Sequence, residues 1–298
     1  MIVITAPTGR IGSQLLADLI EDPETLRVIV RDRSRLPSQL RERVEIVTGT
    51  HADPAVVNQA FAGADAVFWL VPADSAAPSP RAAYLDFSQP ALEAFRSHGI
   101  KHVVGISALG RGTEPAARAG HVTATLELDD AIAATGVNYR ALTMPSFMDN
   151  LLGQAASIAA EGVIRWTAPA DLKAPMCSTG DIARAAATLL TDRSWSGTGQ
   201  LAVLGPEDIS MNEVVEITSE VLGRPVSYQQ APVEAFRQRL LGFGMSEAMA
   251  QSMVDMLQAK NEGLDNGEPR TAQSSTPTSY RQWCTEVLKP AVLAAEAA

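Results

Sequence analysis

The chain has 298 residues, a net charge of −10 at neutral pH, 46% hydrophobic and 19% charged residues. That is ordinary for a soluble enzyme-like protein, with length for one large core or two small ones. Basic residues are scattered rather than striped, which disfavours a nucleic-acid or anionic-membrane surface. No apolar run reaches about 18 residues and residue 1 opens directly on strand-like sequence, so neither a membrane span nor export is expected, and a cytoplasmic location is.

The first 35 residues organise the rest. Residues 1–5 read as a short buried strand that runs into Ala6-Pro7-Thr8-Gly9-Arg10-Ile11-Gly12, after which Ile11, Leu15 and Leu19 give a helix one apolar face. This is the strand, glycine turn and helix start that hold a dinucleotide pyrophosphate. The amides of Thr8, Gly9, Arg10, Ile11 and Gly12 point at the anion, Gly9 allows close approach, and Gly12 lets the helix pack against the strand. A second strand over residues 26–30 ends in Arg31-Asp32-Arg33-Ser34-Arg35, where such folds read the adenosine ribose.

Alternation continues. Residues 43–48 form a third strand, 54–61 a helix, 66–71 a fourth strand ending at Val71-Pro72, 80–98 a helix and 101–107 a fifth strand ending at Ser107. A helix over 121–135 and a sixth strand over 137–142 follow. Strands alternating with helices imply a doubly wound parallel sheet, a Rossmann α/β fold, with ligands beyond the carboxyl ends of its strands. The dinucleotide-binding domain is assigned residues 1–150, and residues 151–298 a smaller, mostly helical substrate region. In that region helices are expected over 147–160, from 178, over 210–222 behind the capping box Ser210-Met211-Asn212-Glu213, over 233–241, 246–260 and 280–295. A short strand is expected over 163–167, a strand near 200–204 is expected to rejoin the main sheet, and residues 262–278 read as a loop.

Thr-Gly-Arg-Ile-Gly after the first strand and Val-Arg-Asp-Arg after the second resemble the atypical short-chain dehydrogenases, and within them the NmrA-like group. Phe68-Trp69-Leu70-Val71-Pro72 and Gly105-Ile106-Ser107-Ala108 match strand ends that pass the cofactor in that family. Residues 144–150 resemble its Arg-Pro-x-x-Phe-x-x-Asn, with Met144 in place of the arginine; Ala6 stands where the family usually has glycine. The resemblance implies nicotinamide cofactor binding and either azo-, quinone- or ergot-alkaloid-type reduction or an NADPH-binding regulatory role. It also implies a Ser after strand five and a Tyr-x-x-x-Lys pair on the next helix. Ser107 is retained, whereas counting back from Gly136 puts His121 and Thr125 at the pair.

Several residues carry alternatives. Asp32 has the spacing of an acid that selects NAD, but Arg31, Arg33 and Arg35 surround it, and a planar guanidinium grips a phosphate in two places; Arg31 and Arg35 therefore favour NADP over NAD. Ser107 orients a carbonyl or caps a backbone group, and His121 either replaces the tyrosine as proton donor or is a solvated histidine beside a flexible loop. Met245, Met249, Met253 and Met256 share one helix face, which either lines an apolar pocket with Phe147, Met148 and Phe243 or fills core. Glu127, Asp129 and Asp130 read as a solvated acidic face, and no metal site is expected; Cys177 and Cys284 lack metal-ligand spacing and fit a reduced intracellular chain.

The leading expectation is an NADPH-dependent reductase of a small aromatic or conjugated acceptor (quinone, azo compound, imine or ketone). The rival is a non-catalytic NADP(H)-binding redox sensor acting through a protein partner, and a third reading is a scaffold that has lost its cofactor. The oligomeric state is left open.

Overall fold

The computed structural model describes residues 1–297. The chain first lays down β1 (Ile2–Ile4), α1 (Arg10–Leu19), β2 (Leu26–Val30), α2 (Ser38–Arg41), β3 (Glu45–Thr48), α3 (Pro54–Phe61), β4 (Ala66–Trp69), α4 (Phe87–Ser97), β5 (His102–Ala108), α5 (His121–Ala133) and β6 (Asn138–Met144). It continues through β7 (Ser146–Phe147), α6 (Ala155–Glu161), β8 (Val163–Trp166), β9 (Ala174–Cys177), α7 (Thr179–Thr191), β10 (Thr198–Ala202) and β11 (Asp208–Ile209). The remainder is α8 (Met211–Leu222), β12 (Ser227–Gln230), α9 (Val233–Gly242), α10 (Glu247–Asn261), α11 (Tyr280–Trp283) and α12 (Lys289–Glu296).

These elements form two compact units. The first comprises Met1–Ala108, Val122–Thr143 and Ile182–Leu201, the second Leu109–His121, Met144–Asp181 and Ala202–Ala298. The single boundary expected at residue 150 is therefore replaced by an interleaved division, because α7 returns the chain to the first unit before β10.

In the first unit a seven-stranded sheet runs β10-β6-β5-β4-β1-β2-β3. Strands β1 and β4 pair in parallel with Ile2 opposite Ala66, and β1 pairs on its other side with β2, Ile2 opposite Leu26. This is the Rossmann strand order, with β10 added at the edge as its sequence suggests. The chain winds outward from β1 in both directions, which opens a crevice at the carboxyl ends of β1 and β4, the place where sheets of this order generally take ligands. All residues of β1 and of β4 are buried, which explains their unbroken apolar sequence. α1 buries Ile11, Gly12, Leu15, Leu16 and Leu19 on one face. Phe61 stacks on Phe95 at 5.3 Å, and Trp69 packs edge-on to both, with its indole N–H donating to Ser88 Oγ at 3.3 Å. Each such ring contributes about 1.5–3 kcal/mol by burial.

The second unit holds a three-stranded sheet, β11-β9-β7, and a two-stranded one, β12-β8. Its core gathers Ile158, Val214, Tyr280, Trp283 and Leu288. Ser210 and Glu213 close the capping box of α8, and Gly223 ends that helix in the left-handed conformation at φ +70°.

Three expectations change here. Residues 147–160 are not one helix, because β7 pairs with β9 through Ser146↔Met176 and a 3-10 turn, Met148–Gln154, precedes α6. Strands β9, β11 and β12 appear where none was read. The last helix is interrupted by a π-helical turn, Cys284–Leu288, just as Ala82–Asp86 precedes α4. Each π turn contains the residue four before a proline, Pro290 or Pro90, and a proline has no N–H to return to that position.

Candidate functional site

The glycine turn follows β1 directly. Thr5 is fully buried; its hydroxyl donates to the Phe68 carbonyl at 3.0 Å and accepts from the Leu70 amide at 2.8 Å, tying the end of β1 to the end of β4. Ala6 then adopts φ +49°, the only positive φ of a non-glycine among the described residues. It occupies the left-handed conformation that a glycine takes without strain, at a cost of about 1–2 kcal/mol. Gly9 begins α1 with no side-chain cap, and the first turn carries no acidic residue, so the positive helix end is left for an anion. A Cβ on Gly12 would stand 2.2 Å from the Ala6 carbonyl oxygen, so only glycine lets α1 sit this close to the turn.

At the end of β2, Arg31 and Arg35 are exposed. Asp32 is not held by them. Its Oδ1 accepts from the Ser34 amide at 2.9 Å and the Ser34 hydroxyl at 2.7 Å, capping a 3-10 turn, Arg33–Arg35. These bonds lower its pKa, with a smaller contribution from Arg35. The acid is engaged in its own turn while the guanidiniums face water, an arrangement suited to a phosphate. Beside them His51 is buried, its Nε2 against the Leu70 carbonyl at 3.0 Å and its ring edge-on to Trp69 and Phe87. Burial, with a lesser effect of Arg31, pushes its pKa down to about 4. Val71 is half-buried and Pro72 exposed just beyond β4.

Near the end of β5, Ser107 is buried and its hydroxyl donates to Asp129 Oδ2 at 2.5 Å; the Tyr139 hydroxyl donates to Asp129 Oδ1 at 2.6 Å. Gly105 makes room for that ring, since a Cβ there would meet the Tyr139 oxygen at 2.4 Å. Two readings are corrected. Asp129 is not on a solvated face but 5% exposed, and Ser107 caps no backbone group, its one proton being committed to a carboxylate. One helical turn before Asp129, Thr125 bonds the Tyr84 hydroxyl, whose pKa burial raises.

In the second unit, His121 is buried rather than solvated, and desolvation, offset only in part by the nearby Met249 backbone, lowers its pKa. The same unit contains a partly open apolar pocket. Phe147, Trp166, Met176, Met211 and Leu257 line it. Of the residues expected there, only Phe147 does. Met148 turns into the core at 2% exposed, and Phe243 caps α9 at 82% exposed. None of the four stripe methionines lines the cavity; α10 contributes Leu257, Lys260 and Asn261 instead. Lys260 Nζ pairs with Asp265 Oδ2 at 2.5 Å in its wall. Sequence reading missed both. Among the described residues no three His, Cys, Asp or Glu side chains converge as a metal site, and no helix is long and apolar enough to cross a membrane. Both thiols are buried, and desolvation raises their pKa values, so neither is poised as a nucleophile.

Fold and turn define a Rossmann-type α/β protein. The NmrA-like family model matches residues 1–284, and the chain belongs to that family. It is 28% identical over 289 residues to a (4-alkanoyl-5-oxo-2,5-dihydrofuran-3-yl)methyl phosphate reductase of Streptomyces griseus subsp. griseus, covering 96% of this chain and 97% of that protein. It is 27% identical to an NAD(P)H azoreductase of Xenophilus azovorans, over 86% of each. The solved structure of a Citrobacter sp. triphenylmethane reductase complexed with NADP(H) shares the fold, with a TM-score of 0.77 at 21% identity, covering 99% of this chain and all of that one.

Proposed function

We propose that the protein is an NADPH-dependent reductase of a small aromatic or conjugated acceptor. The observation that carries this reading is the turn after β1, with an uncapped helix start, a Gly12 that admits no side chain, and Ala6 holding a left-handed angle. Such strain persists where the surroundings over-determine it and serves a site. The cofactor would supply the hydride. Thr8, Gly9, Arg10, Ile11 and Gly12 hold its pyrophosphate, Arg31 and Arg35 take the ribose phosphate that distinguishes NADPH, and Val71, Pro72 and Ser107 border the remaining length. Asp32 has Oδ1 already bonded to Ser34, which leaves only Oδ2 for a 2′-hydroxyl between the flanking guanidiniums. Family relatives named for azo and furanone phosphate reduction support the reaction class.

The acceptor's apolar body is assigned to the cavity of the second unit, whose walls are mainly aromatic and aliphatic. Phe147 contributes there; Met148 and Phe243 are not assigned to it. Acceptors such as quinones draw their protons from water, which suits a protein whose Ser107 proton is held by Asp129 and whose His121 is buried with a lowered pKa. Those same two facts favour a second reading, a redox sensor that binds the nucleotide without turnover. Steady NADPH consumption with a panel of quinones and azo dyes separates the two: turnover supports the reductase, and tight binding with no turnover supports the sensor.

A further inference from the structure

The cavity of the second unit contains a polar feature that an apolar acceptor does not explain. Asp265 is 4% exposed at its side chain; Oδ2 is held by Lys260 Nζ, while Oδ1 is buried with no hydrogen-bond partner. A buried carboxylate oxygen without a partner is destabilising, and here it belongs to a residue of the cavity wall. Lys260, 13% exposed, lines the same wall and retains donors beyond the one given to Asp265.

We infer that this pair recognises a hydroxyl group carried on an aromatic or conjugated ring. The pair as a whole is neutral, so a carboxylate or phosphate meets Asp265 as it approaches Lys260, and an ammonium meets Lys260 as it approaches Asp265. A ketone accepts from Lys260 but leaves Asp265 Oδ1 unsatisfied. A phenolic or enolic hydroxyl does both, donating to Asp265 Oδ1 and accepting from Lys260 Nζ, while its ring packs among Phe147, Trp166 and Leu257. The proposal rests on the reductase reading only in taking this ring to be the acceptor's; the binding preference itself does not require turnover.

The test is calorimetric titration of the full chain, without nucleotide, using 2-naphthol, its methyl ether 2-methoxynaphthalene, and 2-naphthoate. The native protein is expected to bind 2-naphthol at least about tenfold more tightly than the ether, since only the alcohol can donate a bond to the charged oxygen. Asp265→Asn is expected to abolish that preference. Because removing one member of a buried pair can prevent folding, the double variant Lys260→Met, Asp265→Leu is the second arm, as apolar replacement of a whole pair is usually tolerated. It is expected to bind alcohol and ether alike. Equal affinities in the native protein, a preference surviving in the double variant, or tightest binding of 2-naphthoate would overturn the proposal. An acceptor panel that gives no NADPH oxidation would remove the reductase reading and leave this preference standing.

Discussion

Adding one methyl group at Gly12 separates a built nucleotide turn from an ordinary strand-to-helix bend. In Gly12→Ala the new Cβ would lie 2.2 Å from the Ala6 oxygen, 2.9 Å from the Ala6 carbonyl carbon and 3.1 Å from Pro7 Cα. All three are backbone atoms, so no side chain can swing away, and the start of α1 must retreat by about 1 Å to reach ordinary contact. Overpacking of this kind costs about 1–3 kcal/mol. An alanine placed in a helix without a clash would instead stabilise by about 0.5–1 kcal/mol. The sign of the stability change is therefore decisive. Denaturant unfolding should show Gly12→Ala destabilised, and titration calorimetry should show NADPH and NADH affinity both reduced by a common factor, on the order of 10²-fold, the scale of a 1 Å misplacement. A stabilised variant, or one that keeps its affinity for both nucleotides, would refute the argument. Gly12→Val should abolish binding of both while the second unit keeps its fold.

Other consequences follow from single residues. Arg31→Ala should weaken NADPH by about 1.5–3 kcal/mol and leave NADH nearly unchanged; calorimetry giving equal losses would remove Arg31 from phosphate recognition. At φ +49°, Ala6→Gly should be tolerated, whereas Ala6→Val should lower the unfolding midpoint, because a branched Cβ is strained there; a Val variant as stable as the native chain would contradict the assigned backbone. His51, with its pKa lowered to about 4 by burial, is protonated more readily in the unfolded chain, so stability should be full above about pH 6.5 and fall as the pH drops toward 4. The total loss is on the order of 3 kcal/mol, and urea unfolding of His51→Gln should show a flatter decline across that window. His121→Gln should change carbonyl reduction by no more than several-fold, since the ring is buried with a lowered pKa; a fall of about 10²–10⁴-fold would restore it as a proton donor.

Sequence pattern revealed the sheet because its period is local. Ile2–Ile4 and Ala66–Trp69 are buried on both sides and read as apolar runs, Leu26–Val30 departs from this only at the half-buried Arg27, and Ser210 and Glu213 announce α8 within four residues. What escaped depends on distant partners. Ala174–Cys177 contains a proline and exists as a strand through Phe147 and Ile209, and Ser227–Gln230 is polar and pairs only with Val163–Trp166. Asp129 resembles its exposed neighbours Glu127 and Asp130 until Ser107 and Tyr139 are brought to it from two strands. Phe243 looks like a pocket residue from its type alone; only the turn after α9 reveals that it faces water. The Lys260–Asp265 pair has i,i+5 spacing, across a helix end, for which no sequence rule predicts a contact.

The central claim is that the turn after β1 holds NADPH for hydride transfer to a conjugated acceptor. Its most direct test is the rate of NADPH disappearance with a quinone, measured for the native chain and for Gly12→Val side by side. The account predicts sustained consumption by the native protein, a much slower reaction with NADH, and none above background in the variant. Equal consumption by both proteins, or no consumption by the native chain with any quinone or azo acceptor, would contradict it.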